Sequence, residues 1–162
     1  MEVKFRESVK SDISRCFEIW CDSATKSSGL DMTDKEKTAS DFFDMFQSAN
    51  SITTVALDQQ DNIIGWQGLF RLIVHPLMGQ YTAQVSIYLD RHSDVRGLAS
   101  KLTQYTFKIG RDRGIEQVYA WITANNKAAI RLARKFAVKE IVTVKSDLGH
   151  VPNLYLFIIN LK

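Results

Sequence analysis

The sequence predicts a mixed α/β fold, a twisted sheet of seven strands flanked by four helices. Three observations predict it. Seven short runs are β-branched or alternate apolar and polar residues, and four longer runs carry apolar residues at helical spacing. The two kinds follow the order β-α-α-β-β-β-α-β-α-β-β, whose first half reads as largely antiparallel. The length of 162 residues suits one domain over 1–162, and no linker, repeat or low-complexity stretch divides it.

Each element has its own signal. Val3-Lys4-Phe5-Arg6 alternates and makes a first strand. Ser11-Asp12 can cap a helix, with Ile13, Phe17, Trp20 and Ala24 along one face. Residues 25–33, rich in Lys, Ser, Gly and Asp, read as a loop. Asp34 opens a second helix that carries Phe42, Phe43, Met45 and Phe46. Residues 51–57 (SITTVAL) and 63–72 form a hairpin around the turn 58–62. Pro76 to Gly79 breaks the chain before a strand over 81–89. A helix over 96–113 places Leu98, Leu102, Tyr105 and Ile109 on one stripe, and Gly114 ends it. Residues 117–122 make a strand. Asn125 or Asn126 starts a helix holding Ala129, Ile130, Leu132, Ala133 and Phe136. Strands over 138–144 and 154–161, joined by a turn near Asp147-Leu148-Gly149, close the chain.

Composition removes several function classes. Apolar residues make up 45% and charged residues 24%, too apolar a balance for a disordered chain. A net charge of +3 is too small to argue for nucleic acid, though a local basic patch can still hold an anion. No apolar run approaches the roughly 20 residues of a membrane span. The opening MEVKFRESVK is polar and strand-like, unlike a secretory leader. Cys16 and Cys21 fall on different faces of one helix, which suits neither a disulfide nor a metal site. Two unjoined thiols fit a reducing cytoplasm.

The stretch Ser93-Asp94-Val95-Arg96-Gly97-Leu98-Ala99-Ser100-Lys101-Leu102 lies between a strand and a helix. Amides at a helix start have no partners, the helix dipole adds positive charge, and a glycine admits a close approach. An anion fits there. A tight structural turn fits equally, because the stretch lacks the full phosphate-loop and dinucleotide patterns.

Further motifs decide between these readings. Asp94-Val95-Arg96-Gly97-Leu98-Ala99 matches the G-x-A half of R/Q-x-x-G-x-G/A. Gln84-Val85-Ser86-Ile87-Tyr88-Leu89 is similar to E-V-S-V-Y-V. Asn126 to Leu132 follows N-x-x-A/S-I-x-L, and Gly65-Trp66 matches a G-W on the third strand. On these residues the chain resembles the GNAT superfamily of acyl-CoA-dependent N-acyltransferases, and within it the phosphinothricin acetyltransferase branch. The resemblance covers nearly the whole chain in element order. It implies a single mixed, mostly antiparallel sheet of about seven strands with four helices, splayed between strands 4 and 5.

It also implies acetyl-CoA as cofactor and N-acetyl transfer to the amine of a small or amino-acid-like acceptor. The pyrophosphate would meet the amides of Val95, Arg96, Gly97, Leu98, Ala99 and Ser100. The pantetheine arm would pair with the backbones of Ile87, Tyr88 and Leu89 and with the Asn126 side chain. A strand amide just after Ser86 would polarise the acetyl carbonyl. Arg96, Lys101, Arg131 and Arg134 could add charge near the phosphates, or be a solvated face. Similar proteins are often homodimers, though no feature of this chain demands it.

The chain departs from that pattern where proton transfer is usual. Gln84 stands in place of a basic Glu, and Ala133 in place of a Tyr or His acid. A carboxamide cannot accept a proton at neutral pH. Gln84 could instead orient a water, and thiolate leaves tolerably without an acid. The alternative is a degenerate module that binds acyl-CoA or another ligand without catalysis. Tyr88, Tyr81, His75, His92 and His150 are the other candidates for proton work. Trp20, Trp66, Phe70 and His75 are the candidate acceptor contacts, joined by Phe42 and Phe46, with plain core packing as the competing role for the aromatics. No metal site is expected.

Overall fold

The computed structural model describes residues 2–27, 35–48, 50–71, 81–144 and 153–162. The seven strands are β1 (Lys4–Glu7), β2 (Ser51–Leu57), β3 (Ile63–Phe70), β4 (Thr82–Leu89), β5 (Gln117–Thr123), β6 (Lys139–Val144) and β7 (Leu154–Asn160). The four helices are α1 (Ile13–Ser27), α2 (Lys35–Gln47), α3 (Leu98–Asp112) and α4 (Lys127–Ala133). One sheet holds all seven strands in the order β1-β2-β3-β4-β5-β7-β6. Every pairing is antiparallel except β4 with β5. A parallel pair needs a crossover, and α3 supplies it.

Alternation along the strands sorts the core into two layers. Val55 and Trp66 turn to one face, against Ile13, Cys16 and Ile19 of α1 and Phe42 and Phe46 of α2. Ala56 and Leu69 turn to the other. There Leu98, Leu102 and Phe107 of α3 pack, with Ile130 and Ala133 of α4 beside them. Two buried polar contacts fix the register of α3. Thr103 Oγ1 donates to Gln67 Oε1 at 2.9 Å. The Thr54 and Thr106 hydroxyls meet at 2.6 Å, with the Gln67 and Leu102 carbonyls as their further acceptors.

The boundaries differ from the sequence reading in a few places. α1 continues to Ser27, past the expected loop start at 25, because Ala24-Thr25-Lys26 contains no helix breaker. α3 begins at Leu98 rather than 96, because Gly97 is left-handed at φ 74°. Arg71 leaves β3, its amide donating to the Asn50 carbonyl. The expected breaks at Pro76–Gly79 and near Asp147–Gly149 lie outside the described residues. Among the described residues no helix is long and apolar enough to cross a membrane.

The entry into α1 rests on one carboxylate. Asp12 ends a 3₁₀ turn (Lys10–Asp12), is 6% exposed, and accepts the Val9 amide at 2.7 Å. Arg6 of β1 grips it with two bonds of 2.6 and 3.0 Å. Burial pushes its pKa up, but the Arg6 and Val9 hydrogen bonds outweigh that and hold it below the usual value. Asp12→Ala is therefore expected to cost about 2 kcal/mol at neutral pH, read by urea unfolding. A lowered native pKa contributes stability above the unfolded pKa and loses it as pH falls through the native value. The gap between wild type and Asp12→Ala should close in acid and stay constant from neutral pH upward.

Candidate active site

β4 and β5 part company. They pair only at Thr82–Gln117, Ala83–Val118 and Gln84–Tyr119. β4 stays with β3 as far as Leu89, and β5 stays with β7 as far as Thr123. Beyond Gln84 the two strands therefore splay. Main-chain groups of a strand alternate between its two neighbours. The Asp90 amide donates to Ile64 of β3, and the Tyr81 carbonyl accepts from Gln117 at the start of β5. By that alternation Ser86 and Tyr88 bond to β3. Val85, Ile87 and Leu89 turn N–H and C=O into the gap.

A cavity of about 250 Å³ fills the splay. β4 lines it with Val85 to Tyr88, and β5 with Ala120 to Thr123. Thr103 and Phe107 of α3 and Ala129 and Ala133 around α4 complete the wall. Asn126 lines it as well. Its Oδ1 caps α4 by accepting the Ala129 amide at 3.1 Å, so its Nδ2 end is the one left for a ligand.

Past the end of β4 the chain reaches the start of α3. Gly97 is the N-cap, with φ 74° and no side-chain capping bond. Nothing lies within 4 Å of where its Cβ would stand. The Leu98 amide reaches the Val95 carbonyl only at 3.4 Å, and Lys101 closes the first turn onto Gly97. Among the described residues the amides of Gly97, Ala99 and Ser100 have no acceptor, the arrangement that suits an anion. The Leu98 side chain is core, so only its backbone faces the loop. Lys135, which the sequence reading missed, donates to Ser100 Oγ at 3.1 Å and brings a cation to this nest. Arg96, Lys101 and Arg131 are exposed. Arg134 is spent on Glu140, with bonds of 2.8 and 2.7 Å, so its expected place near a phosphate is taken by an ion pair.

A second cavity of about 250 Å³ lies on the α1/α2 face, lined by Trp20, Asp41, Phe42, Met45, Trp66, Ser86 and Tyr88. Ser86 and Tyr88 line both cavities, so the two meet at β4. Burial raises the Tyr88 pKa above its ordinary 10.0, and hydrogen bonds with Trp20 and Ser86 only moderate the rise. An indole nitrogen can only donate, so Trp20 gives its proton to the phenol oxygen. The phenol keeps its own proton at neutral pH. The Trp66 indole donates instead to the Cys16 carbonyl at 2.9 Å. Burial lifts the Cys16 thiol to about 12, which leaves it inert.

The remaining candidates scatter. Gln84 holds the last paired position of the β4–β5 ladder, on the same strand face as Ser86 and Tyr88, but lines neither of these cavities. Phe70 is buried in the core, its ring over Gly68, where a Cβ would come within 2.2 Å of it. Phe46 is core too. Tyr81 is 43% exposed just before β4, and His92 follows Asp90, whose carboxylate accepts its amide. His75 and His150 lie outside the described residues. Sequence reasoning also missed Trp121. In Val118-Tyr119-Ala120-Trp121-Ile122 the alternation already sets Tyr119 and Trp121 off the α3/α4 face, and Trp121 lines the splay while 43% exposed.

Comparison with known proteins agrees with this geometry. The model of the acetyltransferase (GNAT) family matches residues 13–137. A protein of Bacillus subtilis (strain 168), provisionally named phosphinothricin acetyltransferase YwnH, is 31% identical over 86 residues. That alignment takes in 53% of this chain and spans only 52% of the relative's length. An N-acetyltransferase from Staphylococcus aureus Mu50 has the same fold, with a TM-score of 0.79 at 21% identity over 100% of both chains. So does a GNAT superfamily phosphinothricin acetyltransferase from Sinorhizobium meliloti, solved in complex with acetyl-CoA. Its TM-score is 0.78 at 18% identity, over 99% of this chain and 89% of that one.

The loop geometry makes a prediction independent of any ligand. Gly97→Ala meets no steric obstacle but must hold a left-handed backbone. It is expected to destabilise by about 1–2 kcal/mol, read as a lower urea midpoint with an unchanged slope.

Proposed function

This chain belongs to the acetyltransferase (GNAT) family, and from that premise we propose that it transfers an acetyl group from acetyl-CoA to the amine of a small molecule. The observation that carries the reading is the junction at Ser86 and Tyr88, the wall shared by a cleft with an unpaired strand edge and a separate aromatic cavity. A cofactor arm and an acceptor need two such spaces with one shared wall.

The residues fit acetyl-CoA group by group. The open amides of Gly97, Ala99 and Ser100, with Lys135 beside them, suit a diphosphate. The cleft-facing N–H and C=O groups of Ile87 and Leu89 suit the amides of the pantetheine arm, and the Asn126 Nδ2 adds a donor. The thioester supplies an activated acetyl carbon. The Ile87 amide is held by β4 and needs no reorganisation to meet negative charge growing on the acetyl oxygen.

Proton movements fall to two residues. The acceptor must lose a proton to attack, and Gln84 can orient a water that carries it away. Tyr88 is protonated, half-buried and at the junction, so it can donate to the departing sulfur. It takes over the task that Ala133, a buried wall of the cleft, cannot perform.

Free thiol release from acetyl-CoA with a panel of amines tests the reading. Absence of turnover with every amine would overturn it, and thermal stabilisation by acetyl-CoA without turnover would leave a binding module in its place. Tyr88→Phe is expected to lower kcat by about 10²-fold, the lower end for loss of one acid, because thiolate already leaves tolerably. The acid works protonated, so wild-type activity should persist through alkaline pH and fall only as pH rises through the raised phenol value, past 10.0. Gln84→Glu restores a proton acceptor and is expected to raise kcat in the same assay; an unchanged rate would remove that position from proton transfer.

A further inference from the structure

The aromatic cavity, if it is the acceptor site of the acetyl transfer proposed above, also limits what the acceptor is. We propose that it takes an amine carried on a flat or branched apolar body with no carboxylate beside the amine, rather than an amino acid.

Apart from the Asp41 carboxylate on α2, the polar side chains of the described lining, Ser86 and Tyr88, stand on one wall. Ser86 and the Tyr88 hydroxyl stand on β4, where the two cavities meet. The amine of an acceptor must come to that wall, because the reacting carbon can only arrive through the cleft. Trp66 stands beside Tyr88 on the sheet, as its cross-strand partner. Trp20 and Phe42 face them from the helices at ring separations of 5.5 Å from each other and, for Phe42, 5.6 Å from Trp66, with Met45 at the edge. The body of the acceptor rests on these rings. Aromatic faces favour apolar groups and ammonium ions, and offer nothing to a carboxylate.

The indole donors of the lining are not turned to an anion: Trp66 Nε1 bonds the Cys16 carbonyl, and Trp20 acts on the Tyr88 phenol. The one charged residue among the described lining is Asp41, an exposed carboxylate. Among the described side chains, the cations on α1 and just after β4 have acidic partners: Arg15 holds Glu18 and Asp90, and Arg91 faces Asp22 at 3.5 Å. An acceptor carboxylate here would lose its water, find no cation among the described lining and meet Asp41. An ammonium would be drawn in by the same residue.

Matched pairs of acceptors test this, each pair sharing one body with and without the carboxylate: 2-phenylethylamine against phenylalanine, and 3-methylbutylamine against leucine. Methionine sulfoximine serves as an anionic amino acid. Thiol release from acetyl-CoA should favour the carboxylate-free member of each pair by tenfold or more in kcat/KM. Asp41→Asn should narrow that preference through KM, and Asp41→Lys should narrow it further or reverse it. Equal or better turnover of the amino acids would overturn the acceptor class while leaving acetyl transfer standing. With no thiol release from any pair, acetyl transfer itself fails. Quenching of tryptophan fluorescence by the same compounds then decides the class. Quenching by 2-phenylethylamine that weakens in Asp41→Lys, with none by phenylalanine, upholds it; no quenching by either member of a pair overturns it.

Discussion

The architecture turns on the separation of β4 from β5 after Gln84. A strand in the middle of a sheet normally spends every N–H and C=O on its two neighbours. Here β4 pairs with β3 from Gln84 to Leu89 but with β5 only over the three residues Thr82 to Gln84. The groups released from Val85 to Leu89 are half-buried, not freely hydrated. Leaving them unmatched costs free energy in the absence of a partner, so an extended, amide-rich ligand gains what a missing strand would have gained. The acetyl-CoA reading needs no special pocket chemistry beyond that vacancy in the ladder.

The rest of the fold enforces the vacancy. β7 pairs with β5 from Gln117 to Thr123 and so pulls it away from β4. On the other side α3 is tied under β2 and β3 by the Thr54–Thr106 and Gln67–Thr103 contacts, which hold it clear of β5. With α3 so fixed, its first turn lies just past the open end of β4, and the amides from Gly97 to Ser100 stand where a charged end of the ligand would emerge. The left-handed φ of Gly97 starts the helix without a side chain over those amides.

Much of this was legible in the chain. The strands and helices announced themselves because each has one wet and one dry face, and period 2 or 3.6 follows from that. Gly97 stood out because a single glycine between a strand and an amphipathic helix is locally informative. Contacts between elements far apart in sequence were not legible. Lys135 reaches Ser100 across 35 positions, and Glu140 captures Arg134, neither of which a local pattern encodes. Phe70 and Trp66 have the same parity on one strand and the same aromatic character. Both are core, and only the folding of the Phe70 ring over Gly68 kept it out of the cavity that Trp66 also lines.

Tyr88 shows why position in sequence and role in chemistry can separate. A general acid needs a proton at working pH and a place beside the leaving atom; which helix or strand supplies it is immaterial. Burial between Trp66 and Trp20 meets the first requirement, because it penalises the phenolate more than the hydrogen bonds from Trp20 and Ser86 can repay. The shared wall of the two cavities meets the second. Alanine at 133, a wall of the cleft, then carries no share of the proton transfer in the proposed reading. Trp20 acts on the phenol and also lines the aromatic cavity, so under the proposed roles acceptor seating and acid placement would share one side chain.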